Sequence, residues 1–198
     1  MEKRIFDVFP DADVYRQAQY PESANHPDWA PIDTMLGKIE SLASNWRIFD
    51  LPSYGSSEIN GDFFYFSLGT LAIRGAAESR VQFRERFKGK AEFLPFMVDG
   101  ELCYVIHFTG KHDALDYTLT DHRRISNGAI IASSGGLEVF RSDFCTADWL
   151  FRIIGTICIY TINSGSDGFY EIYHNEGMTG LQFQERRFAS DRDNGVRH

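Results

Sequence analysis

FLPFMVDGELCYVIHFTGKHDALD, residues 93–116, decides how the rest of this chain is read. Two runs rich in strand-forming residues flank Asp99-Gly100. Asp-Gly supplies the positive φ angles of a two-residue turn, so the stretch reads as a β-hairpin. The second run, Leu102-Cys103-Tyr104-Val105-Ile106-His107-Phe108, is apolar on both alternating faces, which places it centrally in a sheet covered on both sides. Pro95 donates no ladder hydrogen bond, so the first run lies at an edge or pairs on one side only at that point. Beyond Gly110 the polarity changes abruptly, and His112, Asp113 and Asp116 stand at the end of a buried strand, a usual place for function on a rigid scaffold.

Outward from the hairpin, the composition supports a substantial core. The chain has 198 residues, 43% of them hydrophobic and 15% aromatic, with 17 Phe and 9 Tyr. That length predicts a single domain over residues 1–185, with a flexible tail over 186–198. Residues 1–7 contain no apolar stretch of the signal-peptide type, and no apolar run reaches the ~18 residues of a membrane span, so a cytoplasmic protein is expected, not membrane-bound. The three cysteines, Cys103, Cys145 and Cys158, are odd in number and far apart. They read as buried free thiols in a reducing cytoplasm rather than a disulfide or a zinc site. The net charge of −8 argues against nucleic-acid binding, which needs a basic face, and suits a basic protein partner.

Along the chain, residues 4–9 read as a strand ended by Pro10. Residues 11–20 read as a helix capped by Asp11. The proline-rich loop 21–31 carries Trp29, either a contact residue or a cover for the core. Residues 33–46 are predicted helical, with Met35, Ile39, Leu42 and Trp46 on one stripe. Phe63-Phe64-Tyr65-Phe66 forms a short buried segment, and residues 71–74 a strand. Residues 78–87 read as an amphipathic helix, its basic residues a solvated face or a phosphate patch, ended near Gly89. Residues 129–132 and 137–140 flank Ser133-Ser134-Gly135-Gly136 as a second hairpin. In residues 149–162, WLFRIIGTICIYTI, Gly155-Thr156 splits two strands. Residues 166–176 form a last helix capped by Ser166 and ended by Gly177, and residues 181–183 return as a strand. Hairpins concentrated in the second half, without regular βαβ alternation, predict an α+β fold: a mostly antiparallel sheet with a few packing helices.

The candidate chemistry clusters at His107, His112, Asp113, Asp116, Asp121 and His122. Histidines and carboxylates ligate metals, so one reading is a metal-dependent hydrolase built on His112-Asp113. The convergent spacing that brings three ligands together is missing, and the other reading is capped turns with solvated charges. Asp113 and Asp116, three apart, each suit the cap of a turn. No nucleophile elbow, phosphate-binding loop or dinucleotide fingerprint is present. The residues alone therefore describe an α+β domain without a catalytic constellation and without a cofactor.

Five short motifs occur in a telling order: Phe93-Leu94-Pro95, Cys103-Tyr104-Val105-Ile106, Asp113-Ala114-Leu115-Asp116, Phe151-Arg152-Ile153, and Gly177-Met178-Thr179-Gly180-Leu181-Gln182-Phe183. In this the chain resembles, over residues 71–184, an immunity-protein family of bacterial polymorphic toxin systems. His107 departs from the Asn common in that family, and residues 117–120 lack its Ser-containing continuation. Residues 1–70 match nothing in it. The resemblance implies a non-enzymatic protein that binds and neutralises a cognate toxin encoded nearby; the aromatic surplus leaves a monomer or a homodimer open. The family defines no catalytic residues. Trp29, His112, Asp113, Asp116 and Asp121 are the partner-binding candidates, while Gly177 and Gly180 read as turn residues.

Overall fold

The computed structural model describes residues 3–18, 39–67, 69–124, 130–132, 136–163, 165 and 167–189. The fold is α+β, and its sheets are mixed. The chain forms two compact units: one from residues 1–8, 111–172 and 183–198, the other from residues 9–110 and 173–182. No helix of the described residues is long and apolar enough to cross a membrane. The expectation of buried free thiols is met at Cys103 but not at Cys145, which is exposed.

The unit of residues 9–110 and 173–182 is built on the hairpin. Strands β7 (Ala91–Val98) and β8 (Glu101–Phe108) pair antiparallel from Ala91↔Phe108 to Val98↔Glu101. Asp99 and Gly100 make the turn with φ of 50° and 79°. β8 is central, as expected. β6 (Thr70–Arg74) pairs on its other side, and β5 (Phe63–Ser67) lies beyond. A two-residue strand, β3 (Asp50–Leu51), joins β7 in parallel at Met97 and Val98 only, so Pro95 has ladder pairing on one side. A second short pair, β2 (Gln17–Ala18) with β4 (Ser53–Tyr54), is antiparallel. One face of the sheet buries Phe64, Phe66, Ala72, Leu94, Phe96, Val98, Cys103 and Val105, with Trp46 and Phe49 packed against them. Each large side chain so buried contributes about 2 kcal/mol.

Helices α1 (Gly75–Arg80) and α2 (Phe83–Arg86) replace the single helix expected over 78–87. They are split at Gln82, whose φ of 51° no α-helix contains. In a continuous helix Ala77 and Phe83 would point about 120° apart. The break lets both be buried, and Phe83 meets Phe63, Phe87 and Phe93. The helix expected over 33–46 is also corrected in its described part, where residues 39–46 form only a turn at 43–45. Tertiary bonds claim that segment: Leu42 N–H donates to Glu92 (2.8 Å), Glu40 C=O accepts from the His107 ring (2.9 Å), and the Trp46 side chain donates through Nε1 to Pro95 C=O (2.8 Å). Residues 11–18 form a turn and strand β2, not a helix. Asp11 does cap that turn, accepting from Val14 N–H at 3.3 Å.

The GMTG segment closes this unit as a structural turn. Gly180 has φ of 97°, and a Cβ there would stand 2.1 Å from Phe63 C=O. Only glycine tolerates such an approach. Asp62 accepts from both the backbone N–H (2.9 Å) and hydroxyl (3.1 Å) of Thr179, whose C=O accepts from Phe63 N–H (3.1 Å).

The other unit carries a five-stranded sheet in the order β11 (Val139–Phe140), β14 (Leu181–Phe188), β1 (Arg4–Pro10), β13 (Ile159–Asn163), β12 (Phe151–Arg152). The split at Gly155 is as expected: β12 and β13 pair antiparallel, Phe151 opposite Tyr160, and Gly155 has φ of 89°. The third helix, α3 (Phe169–Asn175), ends at Gly177 as expected; Ser166 lies outside the described residues. The second hairpin is overturned. β10 (Ile130–Ala132) pairs with β9 (His122–Arg124), and β11 pairs in parallel with β14. Residues 137–141 are claimed instead by the preceding loop, with Arg141 N–H on Ala114 C=O (2.9 Å) and Asp116 N–H on Val139 C=O (2.8 Å). The tail begins later than Arg186, because β14 runs to Phe188 and Phe188 is buried against Phe140.

Candidate functional site

Residues 112–121 are a built loop laid along residues 137–141, and the candidate carboxylates hold it there. His112 bridges Ile153 through backbone bonds to Arg152 and Ile154, and its Nε2 lies 2.8 Å from Asp148 Oδ2. Its ring packs edge-on to Phe144 and Phe151. Asp113 is exposed and forms a loose 3.6 Å pair with Arg141. Asp116 accepts from the N–H (2.9 Å) and hydroxyl (2.5 Å) of Thr118, an Asx turn. Asp121 exchanges bonds with Leu137: its carboxylate accepts from Leu137 N–H, and its own N–H donates to Leu137 C=O, both at 2.8 Å. His107 is buried on β8 with its ring on Glu40 C=O, and the His122 ring bonds Thr120 C=O. Among the described residues no three His, Cys, Asp or Glu side chains are grouped to hold a metal. Trp29 lies outside the described residues. The loop thus unites His112, Asp113, Asp116 and Asp121 in one segment, each with an internal partner.

A second cluster was not singled out from the sequence. Asp7 on β1, Glu138 before β11, Cys158 and Tyr160 on or beside β13, and Arg186 on β14 meet in one network. Arg186 contacts Asp7 at 2.6 Å and Glu138 at 3.7 Å, and Tyr160 OH donates to Glu138 at 2.9 Å. Burial holds Glu138 above its ordinary carboxylate value, against the pull of Tyr160 and Arg186. Burial likewise outweighs Arg186 at Asp7. Arg186 itself is raised: burial opposes its charge, but the bond to Asp7 prevails. Burial, helped by the neighbouring acids, pushes the Cys158 thiol up to about 11, which keeps it protonated and unreactive as a nucleophile near neutrality. The cluster joins residues spaced from 7 to 186, and the one sequence sign of it is charge at inward positions of otherwise apolar strands.

Exposed large apolar side chains supply the remaining surface feature. In one unit these include Leu137, Ile154 and Ile157; in the other, Val14, Tyr54, Ile59 and Leu102. Both Ile154 and Leu137 sit on backbone fixed by the bonds above, so they are displayed on rigid supports.

No protein-family model matches this chain. No curated protein matches it.

Proposed function

We propose that this chain is a non-enzymatic immunity protein that binds a cognate toxin made by the same bacterium and holds it inactive. The observation that carries this reading is the display of large apolar side chains on backbone pinned by ladder and backbone bonds, as at Tyr54 on β4 and at Ile59, whose C=O accepts from Arg16 N–H. Such pre-organised anchors are what a tight inhibitor needs, because less ordering entropy is lost on binding. The resemblance supplies the partner class, and the net charge of −8 suits a basic toxin. The motifs that carry the resemblance have backbone roles: Leu94-Pro95 on β7, Cys103 to Ile106 on β8, Asp116 in its turn, and Gly180 against Phe63.

The test is co-expression of the protein encoded immediately upstream, with and without this chain. Restored growth together with a one-to-one complex is the expected result. A toxic neighbour that this chain neither rescues nor binds defeats the reading, as does a complex whose formation is insensitive to salt for the charge argument.

A further inference from the structure

The backbone of Arg16 is wrapped by residues 53–60. Gln17 pairs with Tyr54, Arg16 bridges Asn60, and Arg16 N–H donates to Ile59 C=O at 2.9 Å. A Cβ on Gly55 would meet Arg16 Cα at 3.5 Å, so the wrap closes from that side as well. Its supports are fixed: Gln17 donates to Tyr15 C=O (2.6 Å) and accepts from Tyr65 N–H (2.7 Å), and the Ser53 hydroxyl bonds Asp99. Around this frame three large apolar side chains face solvent, Val14 at 44%, Tyr54 at 50% and Ile59 at 57%. Scattered single apolar residues need no explanation, but three on one rigid frame, one of them a tyrosine, have the make-up of an interface centre.

Among the described residues the exposed charges of the frame are acidic: Asp13 and Glu58 are exposed next to Val14 and Ile59 in the chain, and Asp99 lies against Ser53. The two cations that act on Asp99 are withdrawn: Arg16 has its Nε buried, and Arg74 is buried and paired with Glu101. In the other unit, exposed Arg123 stands two residues from exposed Asp121, so the surface beside Leu137 carries both signs. We infer that the Val14–Tyr54–Ile59 platform is the surface that takes the toxin, and that it takes a basic face of it. This rests on the proposed function above: apolar anchors give the complex its lifetime, and the acidic rim gives it speed and salt dependence.

The test uses the whole chain and the upstream-encoded protein as probe, with binding kinetics read at two salt concentrations and the fold of each variant checked by thermal unfolding. Tyr54→Ala with Ile59→Ala is expected to weaken binding by about 30-fold or more, mainly through faster dissociation. Asp13→Lys with Glu58→Lys, both exposed, is expected to slow association about 10-fold and flatten its salt dependence. Leu137→Ala with Ile157→Ala is expected to leave binding unchanged. If the wild-type chain binds but the first two variants bind equally well, the platform is wrong and the immunity reading stands. A loss confined to the Leu137 and Ile157 variant overturns it in the same way. Should Tyr54→Ala with Ile59→Ala fail to fold, the two lysine substitutions decide. If the wild-type chain forms no complex, the immunity reading and the platform fall together.

Discussion

The two units use the same kind of sheet and fill it differently. Each has a five-stranded sheet beside a separate strand pair, and each five-stranded sheet carries a two-residue strand paired in parallel, β3 on β7 in one and β11 on β14 in the other. In the hairpin unit, buried polar side chains act mainly as staples to backbone: Gln17 to Tyr15 and Tyr65, His107 to Glu40, and Arg74 to Gly61, with Arg74 alone of these also paired to a carboxylate, that of Glu101. In the other, two acids share one guanidinium, with a tyrosine and a thiol in the same network. A staple satisfies one backbone group and leaves little else to go wrong. A shared charge makes each member depend on the rest, and its net worth against a hydrocarbon filling is small even where its disruption is costly.

The largest expected effect tests the hairpin unit. Gly180→Ala places a methyl against Phe63 C=O with a positive φ, and is expected to cost about 4 kcal/mol or more in urea unfolding. Gly100→Ala, also at positive φ but in open space, should cost only about 1 kcal/mol in the same measurement. Equal costs would show that conformation, not close approach, dominates at both glycines.

Next comes the shared charge. Arg186→Met leaves Asp7 and Glu138 without their cation and is expected to cost about 3 kcal/mol. Adding Asp7→Asn should recover part of that loss, which a double-mutant cycle reads as non-additivity. Strict additivity would mean the network is three independent contacts and would erase the contrast drawn between the units.

The smallest effect is the pH response, and its sign differs between the units. Glu138, the more distant acid from Arg186, is held above its ordinary 4.5 by burial, so the folded state binds its proton more readily than the unfolded chain. Its contribution is fully present below the unfolded value and is lost as pH rises through the folded one. Asp99 is held below its ordinary 3.8 by the Ser53 hydroxyl and N–H, so its contribution is present above that value and fades as pH falls through the folded one. Hydrogen exchange by peptide should therefore show β11 and β14 gaining protection on mild acidification, a gain reduced in Glu138→Gln, where Asp7 alone remains to supply it. The β7–β8 turn should lose protection only in stronger acid. Loss of protection in both units over the same mild range would contradict this assignment.

How far the fold was legible follows the range of the contacts. The β7–β8 hairpin was readable because Asp99-Gly100 and the flanking strands are neighbours in sequence. The break at Gly155 and the stop at Gly177 were local as well. The pairing of residues 139–140 with 187–188 had no such sign, and local turn chemistry at Ser133-Ser134-Gly135-Gly136 pointed to a hairpin that non-local bonds displaced. Residues 39–46 failed as a helix because Glu92, Pro95 and His107 claim their polar groups, a competition that periodicity does not register. Of the candidate site, the loop at His112, Asp113, Asp116 and Asp121 was found as a segment, while the partners its side chains have within the chain were not visible in the sequence. The Asp7 network and the Arg16 wrap join residues too far apart to be seen in one sequence.

The chain passes between the two units four times, at residues 8/9, 110/111, 172/173 and 182/183. Dissection by truncation therefore has no clean cut. A stop codon after residue 172 removes Gly180, on which the hairpin unit closes, and also β14, a central strand of the other sheet. During synthesis, residues 9–110 are made before residues 173–182, which complete their unit, and residues 111–172 before residues 183–188 of β14. A chain stopped after residue 172 is expected to keep all five strands of the hairpin unit's sheet but lose the closure of Thr179 and Gly180 on Phe63, while the other sheet loses β14 and is left with open edges at β11 and β1, so neither unit remains whole.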